Sequence, residues 1–452
     1  MTTYFVRTFG CQMNKHDSER IAGLLEAAGH LPADVPEHAD IIVFNTCCVR
    51  ENADERLRGQ VASLKALKTG GRPDVLIAVG GCIGQRDGER LLQQLPHVDV
   101  VFGTHNVAHL PALLDAAEAS RRPQVEVLDT TDDFTSELPS AREHPWHAWV
   151  PITVGCNNFC SYCIVPFVRG RERSRPLEDI VAEVERLRDD GVLEITLLGQ
   201  NVNSYGRDLY GAPRFADCLR AVGATGIPRV RFCTSHPKDL CDDTIAAMAE
   251  TPNVCRYLHL PVQSGSNGVL KAMNRHYTQA DYLRLVEKLR AAMPDLALSS
   301  DVIVGFPGET EADFDETMRV VETSGYDQAF TFIYSPREGT AAAKLDGRVP
   351  KNVAQARFDR LVEAVHRSAA ANNRSLLGTS QRILVEGASK RDERMLSGRT
   401  DTNKVVHVRC PDNREPHDLA GTFLDVRIAE AQTWFLVGEA QDGPRAETPA
   451  GE

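Results

Sequence analysis

Three cysteines in one short loop are the residues of this chain best suited to chemistry. The segment VGCNNFCSYC places Cys156, Cys160 and Cys163 at C-x3-C-x2-C spacing, directly after a run that predicts a strand. Three thiolates bind three irons of a [4Fe–4S] cluster and leave the fourth iron open, and an open coordination position is typical of a catalytic metal site. The alternative is a structural zinc loop, but zinc needs a fourth ligand close by and the neighbouring sequence offers none. The spacing therefore favours a cluster.

Three further cysteines are far apart in sequence but evenly spaced. Cys11, Cys47 and Cys82 each follow an apolar run (YFVRTFG, IIVFNT and VLIAVGG), at intervals of 36 and 35 residues, about one strand–helix repeat. Loops after consecutive parallel strands leave the same edge of a sheet, so these thiols are predicted to converge on one metal site. The alternative is three unrelated buried thiols, because a free cysteine packs as a small apolar residue.

The strand and helix patterns predict an α/β chain with three folded regions. Residues 1–120 alternate β-branched runs with helical patterns, which predicts a parallel βα sheet domain. Residues 121–145 are polar and punctuated by Pro and Asp, as in a linker with at most one strand. Residues 146–372 predict a partial (βα)6 TIM-like barrel with chemistry at the carboxyl ends of its strands. Short strands predict a small antiparallel β-barrel at 376–440, and the polar residues 441–452 predict a disordered tail.

The composition limits the partners and the compartment. The 452 residues include 63 acidic and 51 basic side chains, for a formal charge of −12, which argues against nucleic-acid binding by bulk charge alone. The sequence shows no secretory leader and no apolar run near the roughly 18 residues of a membrane span. We therefore expect a soluble cytoplasmic protein whose 12 cysteines are thiols, metal ligands or catalytic groups rather than disulfides.

Beyond these patterns, the sequence resembles a known enzyme family. CNNFCSYC matches the C-x3-C-x-aromatic-C motif of radical S-adenosylmethionine (SAM) enzymes, with Tyr162 as the aromatic residue. The rest of the chain, apart from the linker and the tail, resembles the radical SAM methylthiotransferases and most closely their MiaB-type branch, which modifies isopentenyl-adenine in tRNA. The motifs that carry this resemblance are TFGCQMNKHDSE, FNTCCVRE, GGCIGQR, LLGQNVNSY, RFCTSHP, HLPVQSGSNGVLKAMNRHYT, VIVGFPGET and FIYSPREGTAA.

The resemblance implies a radical reaction that uses two [4Fe–4S] clusters and two molecules of SAM. The cluster of the C-x3-C-x2-C loop would cleave one SAM to methionine and a 5′-deoxyadenosyl radical. This radical would take hydrogen from C2 of N6-isopentenyladenosine at position 37 of tRNA, 3′ of the anticodon. The second SAM would methylate the inserted sulfur. In the family, Cys11, Cys47 and Cys82 bind an auxiliary cluster, whose open iron would carry that sulfur.

Cys47 and Cys48 are adjacent, and the two are expected to differ. Adjacent residues that leave a strand point to opposite sides, so both are not expected to reach one cluster. The family motif NTC aligns with Cys47 as the ligand. Cys48 is predicted to be a neighbouring thiol that binds no iron.

The resemblance also implies the SAM pocket and the partners. SAM is expected to contact Tyr162 and the loop after the 194–200 strand at Gln200 and Asn201, and Gly305 and Gly308 would let the backbone approach the adenosine. The expected partners are the anticodon stem-loop of tRNA, a low-potential electron donor of flavodoxin or ferredoxin type, and a sulfur donor. We expect a monomer.

Two basic segments are candidates for contact with tRNA. The arginines of FVRGRERSRP either bind phosphates or pair with Glu172 and neighbouring carboxylates; they are Arg169, Arg171, Arg173 and Arg175. The C-terminal barrel resembles the RNA-binding TRAM domain, with a purely structural barrel as the alternative. Its predicted basic face consists of Arg382, Lys390, Arg391, Arg394, Arg399 and Lys404.

Three other functions remain open at this stage. Two use the same chemistry, on an aspartate of a ribosomal protein or on threonylcarbamoyl-adenosine in tRNA. The third is a non-enzymatic iron–sulfur RNA-binding protein that senses redox state. The residues after Cys11 and the 199–205 loop look like the isopentenyl-adenine branch. A sensor, moreover, needs no open iron beside a SAM pocket.

Overall fold

The structure is a computed structural model that describes residues 1–48, 51–130, 134–411 and 414–441. Residues 131–133 of the predicted linker and 442–452 of the predicted tail lie outside the described residues. The chain divides into two units. The first consists of residues 1–144, 149–159 and 163–173, and the second of residues 145–148, 160–162 and 174 onward.

A six-stranded parallel sheet forms the first unit, with the strand order β2-β1-β3-β4-β5-β6 among the described residues. Its strands are β1 (Thr3–Thr8), β2 (Leu31–Pro32), β3 (Ile41–Thr46), β4 (Leu76–Gly81), β5 (Val100–Phe102) and β6 (Gln124–Glu126). Its α-helices are α1 (Gln12–Ala27), α2 (Glu51–Ser63), α3 (Lys65–Thr69), α4 (Cys82–Asp87), α5 (Glu89–Gln94) and α6 (Leu110–Ser120). Short 3-10 helices lie at Pro36–His38, Val107–His109 and Thr135–Glu137.

The central strand β3 shows why this sheet forms. All six of its residues are buried. Ile42 and Phe44 pack into one apolar cluster, whereas Ile41 and Val43 pack into another. A strand covered by helices on both faces is apolar along its whole length rather than at alternate positions. The predicted parallel sheet is confirmed, and β6, from the predicted linker, joins its edge.

The chain continues through short elements around the cysteine loop. They are β7 (His147–Pro151), β8 (Thr153–Val154), α7 (Val165–Val168) and β9 (Arg173–Ser174). Cys156 and Cys163 lie between β8 and α7, in a loop that contains Phe159 at the positive φ of 47°. The prediction that the cysteines follow a strand is therefore correct.

The second unit contains five of the predicted (βα) barrel strands, as the parallel pair β10 and β11 and the three-stranded sheet β12-β13-β14, whereas β7 has residues in both units. An isolated parallel bridge joins Val230 of β11 to Val254. All six strand regions expected for the partial barrel are strands in the structure. The further strands are β10 (Glu194–Leu198), β11 (Arg229–Phe232), β12 (Tyr257–His259), β13 (Ala297–Val304) and β14 (Gln328–Ile333). The helices are α8 (Leu177–Asp189), α9 (Arg207–Tyr210), α10 (Phe215–Ala224), α11 (Asp242–Glu250), α12 (Asn267–Ala272), α13 (Gln279–Ala292), α14 (Glu311–Ser324) and α15 (Lys351–Arg374), with 3-10 helices at Val202–Ser204, Pro237–Asp239 and Ala342–Lys344.

A closed barrel with the strand order β15-β16-β17-β19-β18 ends the described chain. Its elements are β15 (Ser380–Ala388), β16 (Met395–Thr400), β17 (Val405–Arg409), α16 (Pro416–Leu419), β18 (Phe423–Ala431) and β19 (Leu436–Ala440). The predicted small barrel is confirmed, with one difference: β17 and β19 pair in parallel. The cause is that β18 pairs antiparallel with both β15 and β19, so β19 runs in the same direction as β15. Because β17 also runs in that direction, β19 closes the barrel by pairing in parallel with β17. Within the described residues, no helix combines the length and the apolar character that crossing a bilayer requires.

Two buried arginines attach the small barrel to the strands of the second unit. Arg231 donates to Glu194 Oε2 at 2.8 Å and to the carbonyl oxygens of Thr400 and Asp401 at 2.7 and 3.0 Å. Arg229 donates to two other carbonyl oxygens of the barrel, and its guanidinium lies 4.9 Å from the centre of the Phe423 ring. These contacts replace the hydrogen bonds to water that the two guanidinium groups lose when they are buried.

We expect Arg231→Gln to lower the free energy of unfolding by about 3–5 kcal/mol, because it leaves Glu194 buried without its closest cation. Urea unfolding monitored by circular dichroism measures the change. The matched control is Arg394→Gln, since the Arg394 side chain is 88% exposed and pairs with Asp392 at the surface; we expect a change within about 0.5 kcal/mol there. Equal unfolding midpoints for the two variants would contradict the structural role of Arg231.

Candidate active site

The loops after β1, β3 and β4 bring Cys11, Cys47 and Cys82 to one edge of the parallel sheet. The register pairs the residues that immediately precede Cys47 and Cys82. A Cβ added to Gly10 would lie 3.1 Å from the sulfur of Cys47 and 2.4 Å from its Cβ, so the loop of Cys11 passes directly over Cys47. Cys47 and Cys82 are each 3% exposed, whereas Cys11 is exposed. The three thiols therefore border one site that opens at Cys11.

Cys48 lies beneath this site and contacts Cys82. It is fully buried in the apolar cluster of β3 and β4, and its thiol donates a hydrogen bond to the sulfur of Cys82. This bond lowers the pKa of Cys82, a change that the Arg169 guanidinium reinforces, and it raises the pKa of Cys48. Cys48 is thus in direct contact with a predicted ligand of the auxiliary site. The sequence predicted a neighbouring thiol at Cys48 but not its contact with Cys82.

A buried ion pair lies beside these cysteines. Arg169 Nη2 donates to Asp17 Oδ2 at 2.8 Å and to Asn14 Oδ1 at 3.3 Å, and the charge of the guanidinium lowers the pKa of Cys82. Burial alone would raise the pKa of Asp17, but the charge of Arg169 and the hydrogen bond from His16 hold it below its usual value. The site therefore combines thiols with a fixed positive charge, a donor set that suits an anionic iron–sulfur cluster.

A second buried arginine contacts a cysteine of the C-x3-C-x2-C loop. In the second unit, Arg275 Nη1 donates to Cys160 Sγ at 3.4 Å, Nε to the Tyr277 hydroxyl at 2.9 Å and Nη2 to the carbonyl oxygen of Pro261 at 2.9 Å. In the first unit, the backbone N–H of Asn158 donates to Cys156 Sγ at 3.5 Å. N–H donors directed at sulfur stabilise thiolates that bind iron.

Tyr162 belongs to the second unit and packs against an apolar cluster that contains Met273 and Phe306. The backbone of its neighbour Ser161 is fixed on both sides, because its N–H donates to Met273 O at 3.0 Å and its carbonyl accepts from Ala342 N at 2.8 Å. The aromatic residue of the motif is thus held at the carboxyl-terminal side of β13. This position is compatible with its predicted role beside SAM.

Unpartnered polar atoms cluster at the carboxyl ends of β10 and β11. Asn201 Oδ1, Asn203 Nδ2 and Ser235 Oγ are buried and have no hydrogen-bond partner among the described residues. The other ends of the two amides are fixed, because Asn201 Nδ2 donates to Asp239 at 2.7 Å and Asn203 Oδ1 accepts from His236 N at 3.0 Å. Buried polar groups normally have partners, so these atoms fit a polar ligand such as SAM.

The remaining residues predicted for the SAM pocket lie at other strand ends. Gln200 is half-buried directly after β10. Gly305 follows β13 at a φ of 72°, and its N–H donates to Glu309 Oε2 at 2.7 Å. A Cβ on Gly305 would lie 2.9 Å from that of Ala354, so packing against α15 requires glycine there. Gly308, with open space around its Cα, donates to the carbonyl oxygen of Gly347 at 2.8 Å. Contact of these residues with adenosine stays a prediction.

The four arginines of FVRGRERSRP divide into two kinds. Arg169 and Arg175 are buried in ion pairs, as the alternative to phosphate binding predicted, but the partner of Arg169 is the distant Asp17 and not a neighbouring carboxylate, while Arg175 pairs with Glu183. Arg171 is exposed and stacks on the ring of Phe159 at 4.5 Å, and the half-buried Arg173 stacks on that of Phe134 at 4.9 Å. Phosphate contact therefore stays a prediction for Arg171 and Arg173 only.

The predicted basic face of the small barrel is similarly divided. Lys404 is largely buried and pairs with Asp327, and Arg399 donates to Glu386 at 2.8 Å. Lys404 therefore anchors the barrel instead of lying on an exposed basic face, which corrects the prediction for this residue. The other four basic residues are exposed: Arg382, Lys390, Arg391 and Arg394.

The cysteine geometry bears on the choice between zinc and a cluster. Among the described residues, no group of three His, Cys, Asp or Glu side chains is arranged to hold a single metal ion. A [4Fe–4S] cluster does not require that arrangement, because each cysteine binds a different iron.

Sequence reasoning missed four polar residues of these sites, which are Asp17, Arg275, Asn203 and Ser235. Asp17 lies 152 positions from Arg169, so nothing local in either segment indicates that the two form a pair. Arg275 is similarly far from Cys160. Asn203 and Ser235 lie within the motifs LLGQNVNSY and RFCTSHP, and the repeated Asn of the first motif is the signal that could have found Asn203.

Comparison with protein families agrees with this architecture. Residues 150–321 match the Radical SAM superfamily, residues 3–103 match the Uncharacterized protein family UPF0004, and residues 374–440 match the TRAM domain. Solved structures show the same fold. The radical SAM methyltransferase TsrM from Kitasatospora setae gives a TM-score of 0.54 at 14% identity, covering 76% of this chain and 74% of that one. The fold and the cysteine loop define a radical SAM enzyme.

Curated relatives identify the family within this class. A tRNA-2-methylthio-N(6)-dimethylallyladenosine synthase of Salinispora arenicola is 53% identical over 460 residues, covering 100% of this chain and 90% of that protein. One from Mycobacterium marinum is 49% identical, with coverage of 100% and 88%. The chain belongs to the tRNA-2-methylthio-N(6)-dimethylallyladenosine synthase family. The resemblance seen in the sequence is confirmed, and with it the expected cofactors of the class, SAM and [4Fe–4S] clusters.

Proposed function

We propose that this chain converts N6-isopentenyladenosine at position 37 of tRNA to its 2-methylthio derivative. The observation that carries the proposal is the convergence of Cys11, Cys47 and Cys82 beside a buried arginine, in a chain that also has a radical SAM cysteine loop. An enzyme that only cleaves SAM needs one cluster. A second site of three thiols supports a reaction that also inserts sulfur.

The residues of the chain have separate tasks in this reaction. When bound, the cluster of Cys156, Cys160 and Cys163 would supply the electron that cleaves SAM, and the auxiliary cluster would supply the site for the sulfur. Arg275 orients Cys160 through an N–H···S contact. The free amide and hydroxyl groups at the ends of β10 and β11 bind the polar part of SAM. Exclusion of water from these buried groups protects the radical from side reactions.

The same proposal includes the partners. The anticodon stem-loop of tRNA is the substrate, and Arg171, Arg173 and the TRAM barrel contact its backbone. A low-potential flavodoxin or ferredoxin reduces the cysteine-loop cluster, and a separate donor replaces the consumed sulfur. The enzyme works as a monomer in the cytoplasm, where its tRNA substrate is found.

The proposal is tested with the reconstituted full-length chain under anaerobic conditions. The protein is incubated with SAM, dithionite and tRNA that carries N6-isopentenyladenosine, and nucleosides are measured by mass spectrometry. We expect the 2-methylthio product together with 5′-deoxyadenosine. Matched reactions contain tRNA with threonylcarbamoyl-adenosine, or the ribosomal protein that carries the target aspartate. Product in either of these reactions alone would refute the assigned substrate, and absence of 5′-deoxyadenosine in every reaction would favour the redox sensor.

The assignment of Cys47 predicts different iron contents for two neighbouring variants. Cys47→Ala should lose one cluster, about four iron atoms per chain. Cys48→Ser should keep both clusters, because a hydroxyl can still donate to Cys82 and Cys48 binds no iron. Iron and sulfide analysis after anaerobic reconstitution measures both. Equal iron loss in the two variants would contradict the assignment of Cys47 as the ligand.

The assignment of the SAM pocket predicts a binding defect for Asn203→Ala. Loss of the buried Nδ2 donor should raise the KM for SAM about tenfold, since a hydrogen bond made to a buried polar group is worth about 1–3 kcal/mol. Initial rates of 5′-deoxyadenosine formation at varied SAM concentration measure the effect. Asn267→Ala, which alters an exposed asparagine at the start of α12, is the control. An unchanged KM for SAM in Asn203→Ala would remove Asn203 from the pocket.

A further inference from the structure

The backbone around Arg169 is fixed against the N-terminal sheet. Arg169 follows α7, six residues after Cys163, and its N–H donates to Val165 O at 2.9 Å. Thr104, just past β5, donates its hydroxyl to the carbonyl oxygen of Val168 at 2.6 Å. The backbone that carries the Arg169 side chain is therefore held in place by the first unit.

The guanidinium lies among the groups of the auxiliary site. Its Nη2 donates to Asp17 Oδ2 at 2.8 Å and to Asn14 Oδ1 at 3.3 Å. Asn14 Oδ1 accepts from Cys11 Sγ at 3.3 Å, so Asn14 links the arginine to a second cysteine of the site. Arg169 is 5% exposed and Asp17 4% exposed, and water hardly screens either charge.

These charges bear on the electronic state of a cluster bound there. A buried ion pair is a poor source of stability, because its desolvation offsets most of its attraction. A guanidinium keeps its proton at every accessible pH, so its charge is constant. Reduction makes a [4Fe–4S] cluster more negative, and nearby charges and hydrogen bonds to sulfur are the means by which a protein sets its potential.

We propose that Arg169 is a positioning residue that sets the reduction potential of the cluster bound by Cys11, Cys47 and Cys82. Its positive charge stabilises the reduced cluster, and the negative charge of Asp17 opposes this effect. The pair thus sets a reduction potential between the value expected with the charge of Arg169 alone and the value expected with the charge of Asp17 alone. The inference rests on the proposed function, since it takes the auxiliary cluster from it.

The test measures the auxiliary cluster alone. In the full-length chain, the cysteines at 156, 160 and 163 are changed to alanine, and the remaining cluster is titrated with dithionite while electron paramagnetic resonance follows its reduction. We expect Arg169→Gln to shift the midpoint to a more negative value, with at least tenfold less reduced cluster at a fixed potential, or about 59 mV for one electron. Asp17→Asn should shift it in the opposite direction. Arg169→Lys should shift it less than Arg169→Gln, because it keeps the charge.

The control is Arg175→Gln in the same background. Arg175 is another buried arginine of the same segment, 5% exposed, and pairs with Glu183 at 2.6 Å in the second unit. It should lower stability without moving the midpoint. A purely structural role for Arg169 predicts no shift, or shifts of one sign, when Arg169 and Asp17 are changed separately.

The outcomes separate this inference from the proposed function. Unchanged midpoints at full iron content, or shifts of equal sign for Arg169→Gln and Asp17→Asn, would overturn the role of Arg169. If Arg169→Gln fails to hold a cluster, the directions of the midpoint shifts in Arg169→Lys and Asp17→Asn decide whether Arg169 sets the potential. Shifts of opposite sign, together with an unaltered full-length chain that forms no methylthio product in the tRNA assay, would refute the function and leave the role of Arg169 intact. A background variant without any cluster would overturn both.

Discussion

The register of one parallel sheet is the constraint on which the rest of the site depends. β3 lies between β1 and β4, so the loops after these strands leave the same edge and three cysteines from distant parts of the sequence meet there. Side chains alternate between the two faces of a strand, and a slip of one residue would exchange the faces. In β3 that slip would put Cys48 in the place of Cys47. The fully buried strand makes such a slip costly, because it would misplace apolar side chains on both faces of the sheet.

Buried ion pairs recur where distant segments must keep a fixed relation. Arg169 meets Asp17 beside the auxiliary cysteines, Arg231 meets Glu194 where the small barrel attaches, and Arg357 of α15 donates to Glu309 at 2.8 Å behind Gly305. Apolar contacts of equal volume would often be more stable. An arginine, however, also reaches carbonyl oxygens or sulfur with its remaining donors, so it fixes direction as well as distance.

The sequence predicted more of the fold than of the site. Alternating apolar runs and helical patterns were sufficient for the parallel sheet, the six strands of the partial barrel and the closed C-terminal barrel, because burial of β-branched runs leaves few other arrangements. The parallel pairing of β17 with β19 was not predicted, since pairing direction depends on how the chain returns after β18. Among site residues, the cysteines were visible from their type and spacing. Asp17 and Arg275 were not, and the place of Arg169 beside the auxiliary cysteines was not, because a charged residue in a helix or loop looks exposed until its distant partner is known.

The stretch from Cys163 to Arg175 shows why a sequence predicts the fold better than it predicts the roles of charged residues. It begins with a cysteine of the loop, forms the short helix α7, and then carries four arginines at alternate positions. By type alone the four arginines are equivalent, and their high charge suggested a surface for phosphate. In the structure, Arg169 and Arg175 are buried against carboxylates, while Arg171 is exposed on the ring of Phe159. Even spacing therefore does not give these arginines one role. Their roles differ because the fold places a carboxylate beside some of them. Asp17 of α1 in the first unit lies beside Arg169, and Glu183 of α8 in the second unit lies beside Arg175.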